Sequence, residues 1–377
     1  MLFTVTAEPP VKQTPPGLAK LQKAIDSHAR HSKALFDYPG VNGSGVGWRR
    51  DDGEPVVKVF TRQKNTPNLP QFIDGVPVDV QYIGEVFALK AGGKNKSPND
   101  LSQQDASAQI AAQAGSVSTT ARFDRPVPIG VSAGHTGVTA GTIGCRVSQG
   151  CHTYALSNNH VFANKNAGNI GDNILQPGPY DGGQNPADAI GTLYDYVEIE
   201  WHPENRFQPK PLNYIDSAIV DVAPSQVGYE TPENGYGIPK AETMAAYVGQ
   251  KVMKYGRTTQ LTYGAVDSLN VLIDVNFGTT SNPKYARFAG QIVIEAAPDA
   301  SYNDFSLGGD SGSLIVGADS AYPLPDCASD PVGCNDYPPA ADERKPMGLL
   351  FAGGGGITVA NPIDDVLDAY GVVIDGE

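Results

Sequence analysis

The sequence predicts a mainly β protein preceded by a small α+β segment. Forty-three glycines and thirty prolines in 377 residues supply the turns that many short strands need. Apolar runs such as Val56–Phe60 and Leu314–Val316 are short and end in turn residues, as strands do. Near the N-terminus, Leu18, Leu21, Ile25 and Ala29 instead fall at helical spacing, with Lys20, Lys23 and Asp26 between them, which predicts a surface helix.

In chain order, residues 1–16 are polar and proline-rich and read as a mobile tail. Residues 17–90 read as the α+β domain. The helix leads to Val41–Trp48, the turn Asp51-Asp52-Gly53 and Val56–Phe60, a hairpin pattern, followed by strands at Val76–Val80 and Ile83–Leu89. The Gly-x-Gly-x-Gly at 43–47 precedes a hairpin rather than a helix and lacks Gly-Lys-Ser/Thr, so it reads as structural rather than as a phosphate loop. Residues 91–122 have a linker composition, with a short helix expected near Ala106–Ala114. Residues 123–377 read as short strands with frequent turns and a subdomain break near 230–240. Long loops are expected at Glu200–Asn213 and Ala318–Lys345.

The formal net charge of −14 argues against a nucleic-acid partner and against an anionic membrane surface. No run approaches the roughly 18 apolar residues of a membrane span. The first ten residues lack a basic region followed by an apolar one, so the expected location is cytoplasmic. Four cysteines stand in two close pairs, Cys145 with Cys151 and Cys327 with Cys334. Each pair reads equally as a disulfide, which would imply an oxidising compartment, or as two separate thiols. No cysteine or histidine spacing suits zinc, and no metal or cofactor is expected.

Chemistry concentrates at three places. Gly309-Asp310-Ser311-Gly312 sets a serine in a glycine turn just before an apolar strand, as needed where backbone N–H groups hold an oxyanion beside a nucleophile. His160 closes the apolar run Tyr154–Ser157, and Asp216 directly precedes the run Ala218–Val220. A buried carboxylate can orient an imidazole that takes the serine proton, and the chain order His, Asp, Ser is one of the known triad orders. His28, His31, His135, His152 and His202 lie in poorer settings: the N-terminal helix region, a glycine-rich turn, the strand before His160 and the loop before Asp216.

With Gly141–Cys145, Leu156–Val161, Ile174–Gly178, Ile215–Ile219, Gly256–Thr259 and Gly309–Ser313 in this order, the segment from about Arg125 to Ile374 resembles a chymotrypsin-like serine protease. Within that superfamily it is similar to the bacterial and plant trypsin-like proteases of the narrow-leaf type. The resemblance implies two six-stranded antiparallel β-barrels. It also implies a serine endopeptidase acting on a protein or peptide substrate, and a homo-oligomer. It puts the backbone amides of Gly309 and Ser311 in the oxyanion hole, Asp310 behind that loop, Phe305 at the pocket floor and Gly353 on its wall. Phe305 where a carboxylate would select Lys or Arg implies a small or medium apolar residue before the cut; Asp304 is its neighbour. Phe351 stands where a serine commonly supports the triad aspartate. Pro126 and Pro128 follow Arg125, so no activation by a freed N-terminus is expected there. The alternatives are a catalytically silent protease-fold scaffold and an esterase-like serine hydrolase. The N-terminal segment is expected to be a separate regulatory or assembly module, removable without loss of the serine site.

Overall fold

A computed structural model describes residues 18–89, 91–92, 117–205, 208–297, 304–322 and 340–377. Strands dominate these residues; the helices are Leu18–Leu35, Asn159–Phe162 and Ile363–Tyr370. No helix among the described residues is long and apolar enough to cross a membrane. The expected tail, the helix near 106–114, Cys327 and Cys334 lie outside the described residues.

Two sheets organise the chain. In the first, Cys145–Gln149, His152–Ser157, Ala218–Asp221, Ala189–Tyr196, Asn173–Leu175, Ser132–His135 and Gly141–Thr142 are neighbours in that order. In the second, pairing runs from Lys251–Gly256 through Gln260–Asn276, Tyr285–Ala296, Ile357–Pro362, Pro346–Gly354 and Leu314–Gly317, then returns to Lys251–Gly256. Six strands therefore close on themselves, which leaves no free edge within the ring. Inward side chains of the first sheet, among them Val147, Leu156 and Ile219, share one buried cluster with Leu314, Val316 and Leu349 of the second. The two sheets are thus packed together by the strand that follows Ser311 and the strand that carries Phe351.

The N-terminal helix packs Leu21, Ala24 and Leu35 on Val46, Val57, Val59, Ile73 and Val76. The buried face follows 21, 24 and 28 rather than 21, 25 and 29. Ala29 is exposed, while Ser27 and His28 turn inward because each finds a partner there. Ser27 Oγ donates to the Ile73 carbonyl at 3.0 Å, and His28 Nε2 meets Ser44 Oγ at 2.9 Å.

This segment shares a sheet with the strands that follow it. Val41–Trp48 pairs antiparallel with the outer half of Gln260–Asn276, Gly43 opposite Ile273 and Val46 opposite Leu269. The second sheet therefore continues into Val41–Trp48, Pro55–Thr61, Val76–Tyr82 and Phe72–Ile73. A buried ion pair, Lys58 with Asp267, ties the two parts. The glycines of the 43–47 motif serve this contact: a Cβ on Gly45 would lie 2.7 Å from Val271 Cγ2, and one on Gly47 would lie 2.6 Å from the Asp267 carbonyl oxygen. Removing the segment would expose a long apolar strand edge, the kind of edge that aggregates.

Burial pushes the His28 pKa down from 6.5 to about 4. Between those values the unfolded chain binds a proton that the folded chain refuses, so stability falls as pH drops from about 6.5 towards 4. The full loss is on the order of 3 kcal/mol. Urea midpoints measured between pH 7 and 4 are expected to fall less steeply for His28→Gln than for the parent; parallel curves would show that His28 is not the acid-sensitive group.

The disulfide reading of Cys145 and Cys151 is corrected, since both are free. Cys145 faces the core opposite Leu156, while Cys151 is exposed at the turn of the same hairpin. At ~3.3 Å of rise per residue the two Cα atoms are on the order of 10 Å apart, beyond the reach of a disulfide.

Candidate active site

The pairing of Ala218 with Ser157 sets the residues just before one strand against those just after the other. Asp216 and His160 meet there. His160 Nδ1 lies 2.6 Å from Asp216 Oδ2, and the His160 amide donates to Asp216 Oδ1 at 3.2 Å. Ring and backbone of one residue on one carboxylate fix the imidazole's orientation. Asp216 is wholly buried and held from behind: its amide donates to Asn361 Oδ1 at 3.0 Å, and Asn158 Nδ2 donates to its carbonyl at 2.8 Å. Asn361 Nδ2 in turn donates to Gln291 Oε1 at 2.6 Å. His160 Nε2 is buried with no hydrogen-bond partner among the described residues, and the ring packs edge-on to Phe277 with centroids 5.8 Å apart.

Ser311 sits between Gly309 at φ +105° and Gly312 at φ +94°, angles that side chains resist. A Cβ on Gly312 would also fall 2.3 Å from the Thr142 carbonyl oxygen. That turn is thereby pressed against the strands leading to His160. Ser311 Oγ donates to the Phe351 carbonyl at 3.1 Å. With Nε2 unpartnered, the serine–histidine hydrogen bond is not formed in this state.

Asp310 braces the turn from behind. It accepts hydrogen bonds from the amides of Thr258 at 2.8 Å, Thr259 at 3.2 Å and Leu307 at 2.9 Å, and from Thr259 Oγ1 at 2.8 Å. Its charge faces Lys254, whose Nζ lies 3.8 Å from Oδ2 with both side chains wholly buried. Burial pulls the Lys254 pKa down to about 8, against the pull of Asp310. Lys254 also donates to Thr259 Oγ1 and to the Gln260 carbonyl. An internal cation therefore faces Asp310. The stretch Gly256–Thr259 was legible as a motif, but its role as the Asp310 cradle was not.

Phe305 is buried in one apolar cluster with Val252, Ile294, Ile315, Leu350 and Leu89. Gly353 borders the same space: a Cβ there would stand 3.1 Å from Leu89 Cδ1 and 3.6 Å from Ser306 Oγ. Asp304, by contrast, is partly exposed. The Phe351 ring turns away into a second cluster, 4.8 Å from the Phe288 ring. Asn361 and Asn158 hold Asp216 in its stead. A cavity of about 130 Å³ opens beside His160, lined by Ala88, Val138, Ala140, Val161 and Phe277 among others.

The remaining histidines are otherwise engaged. His135 meets Asp172 at 2.9 Å, His31 meets Asp74 at 3.0 Å, His202 lies 3.4 Å from Asp274, and His152 is exposed. Among the described residues no group of three or more His, Cys, Asp or Glu stands together as a metal site would require.

No family model and no curated protein matches the chain. Solved structures do. Thermobifida fusca protease A matches with a TM-score of 0.40 at 18% identity, over 67% of this chain and 100% of its own. A glutamic-acid-specific serine protease matches at 0.40 and 19%, over 66% of this chain and 100% of its own. Cellulomonas bogoriensis chymotrypsin matches at 0.39 and 17%, over 68% of this chain and 100% of its own. Likeness at this level lends the chain neither a family nor an activity, and the chemistry has to be carried by the residues themselves.

Proposed function

We propose that this chain is a serine endopeptidase of chymotrypsin-like architecture, with His160, Asp216 and Ser311 as its triad. The observation that carries the reading is the double hydrogen bond from the ring and the backbone of His160 to wholly buried Asp216, with Nε2 buried and unpaired. A histidine so held is a base waiting for a proton donor. The closed ring of six strands, and the first sheet packed on it, support the two-barrel architecture.

Ser311 Oγ attacks a substrate carbonyl while His160 Nε2 takes its proton. Asp216 keeps the remaining ring proton on Nδ1 and stabilises the imidazolium. The amides of Gly309 and Ser311 hold the oxyanion. The imidazolium then protonates the leaving amine, and water activated by His160 releases the acyl group from Ser311. The apolar space around Phe305 favours an apolar residue before the cut, because an unpaired charge there would lose its hydration.

One observation favours the silent scaffold: Ser311 Oγ is bonded to the Phe351 carbonyl rather than to His160. A fluorophosphonate probe decides between the two. Stoichiometric labelling of Ser311, abolished in Ser311→Ala, is expected; no labelling of Ser311 in the parent or in a variant whose cleft is emptied would remove the activated nucleophile. Cleavage of peptides, and not only of activated esters, then separates peptidase from esterase.

A further inference from the structure

Leu89 lies where a substrate would lie. Its amide donates to the Phe351 carbonyl at 3.2 Å, and its carbonyl accepts from the Gly309 amide at 2.9 Å. Gly309 is the very donor assigned above to the oxyanion hole, and Ser311 Oγ shares the same Phe351 oxygen. The residues before Leu89 run antiparallel to the strand Pro346–Gly354, Ala88 opposite Ala352 and Phe87 opposite Gly353. The Leu89 side chain fills the apolar space at Phe305 and Gly353 and is almost wholly buried. Beyond it, the Ala91 amide donates to the Ala140 carbonyl at 3.1 Å. Main-chain hydrogen bonds thus hold the chain at Leu89 and again at Ala91. Strand addition with a side chain in a pocket is how extended peptides are recognised, here with the occupant supplied by the protein itself.

We infer that the protein is its own first substrate, and that Ser311 cuts the chain after Leu89. The inference rests on the endopeptidase reading above. Ser311 Oγ bonds to the Leu89 carbonyl carbon and its proton passes to His160. The Leu89 carbon–nitrogen bond breaks, and the nitrogen of residue 90 leaves with that proton as a new N-terminus. Water then adds to the Leu89 acyl carbon, freeing a Leu89 carboxylate and restoring Ser311. Until the cut, Phe87–Leu89 closes the cleft to other substrates. After it, the 18–89 part stays bound through the pairing of Val41–Trp48 with Gln260–Asn276, so cleavage leaves the two pieces together. The same register assigns the specificity: an apolar side chain of leucine size enters the pocket.

Intact-mass measurement of the purified full chain tests this. The parent is expected to resolve under denaturing conditions into residues 1–89 and 90–377 that co-elute under native conditions, while Ser311→Ala stays whole. The rate should not depend on protein concentration. Leu89→Met should still be cut, whereas Leu89→Asp, which would place an unpaired carboxylate against Phe305, should be cut at least about 100-fold more slowly. The Leu89→Asp chain should also label with fluorophosphonate above the Ser311→Ala background and faster than the parent, since its cleft is no longer filled. A parent that labels at Ser311 but remains whole, or is cut elsewhere, overturns self-cleavage and leaves the peptidase reading standing. If neither the parent nor Leu89→Asp labels, the serine reading fails, and this inference with it. A melting curve for each variant identifies any that has not folded; Leu89→Met then carries the comparison with Ser311→Ala.

Discussion

Replacing Asp216 with Asn is expected to lower kcat/KM on peptides with an apolar residue before the cut by about 10⁴-fold, with little change in melting temperature. The carboxylate accepts twice from His160, from the ring at 2.6 Å and from the amide at 3.2 Å. An asparagine can keep the amide contact through its oxygen but then presents an N–H to the ring. Nδ1 must become the acceptor, so the ring proton moves to Nε2, and the atom that should take the Ser311 proton already holds one. The Asn361 and Asn158 contacts go to the backbone of Asp216 and survive the change, which is why the fold should tolerate it. Fluorophosphonate labelling should slow in parallel, because it uses the same proton transfer. A loss smaller than tenfold in both assays would show that Asp216 does not set the tautomer of His160.

The parts of this site that could be read in the sequence are those with local signals. His160 and Asp216 each flank an apolar strand, and Ser311 sits in a glycine turn; the strand register then brings the first two together. The α+β composition of residues 17–90 was also legible, as one helical stripe followed by short strands. Its attachment was not. Nothing local in Gly43–Gly47 says that these glycines press against Val271 and Asp267, more than two hundred residues away in sequence. Lys254 is silent in the sequence for a related reason: a lysine on an alternating strand reads as a solvated side chain, and only the tertiary fold places it wholly inside, opposite Asp310. Leu89 looked like the end of an ordinary strand. Its meaning comes from Phe351 and Gly309, two partners from distant parts of the chain. The helical stripe was misplaced by one position because His28 and Ser27, polar by type, are buried with partners that the sequence does not reveal.

Lys254→Met is expected to destabilise the protein by about 1–3 kcal/mol, since it leaves the Thr259 hydroxyl and the Gln260 carbonyl without the buried donor that Lys254 supplies. Asp310 keeps four neutral donors, the amides of Thr258, Thr259 and Leu307 and the Thr259 hydroxyl, which places the expected loss at the lower end of that range. A variant as stable as the parent would show that the pair contributes nothing to the fold. The same lysine predicts that activity and stability part company at alkaline pH. Burial lowers its pKa to about 8, below its ordinary 10.5, so between these values the unfolded chain keeps a proton that the folded chain has released. Stability from this group consequently rises, not falls, across the window. Over the same window Asp310 loses the positive charge that faces it, the loop bearing Gly309 and Ser311 is less firmly braced, and the labelling rate should drop. Rates and melting temperatures measured together from pH 7 to 10 should thus diverge for the parent. In Lys254→Met the fall in rate centred near pH 8 should be missing; if it persists there, another group controls the alkaline limb.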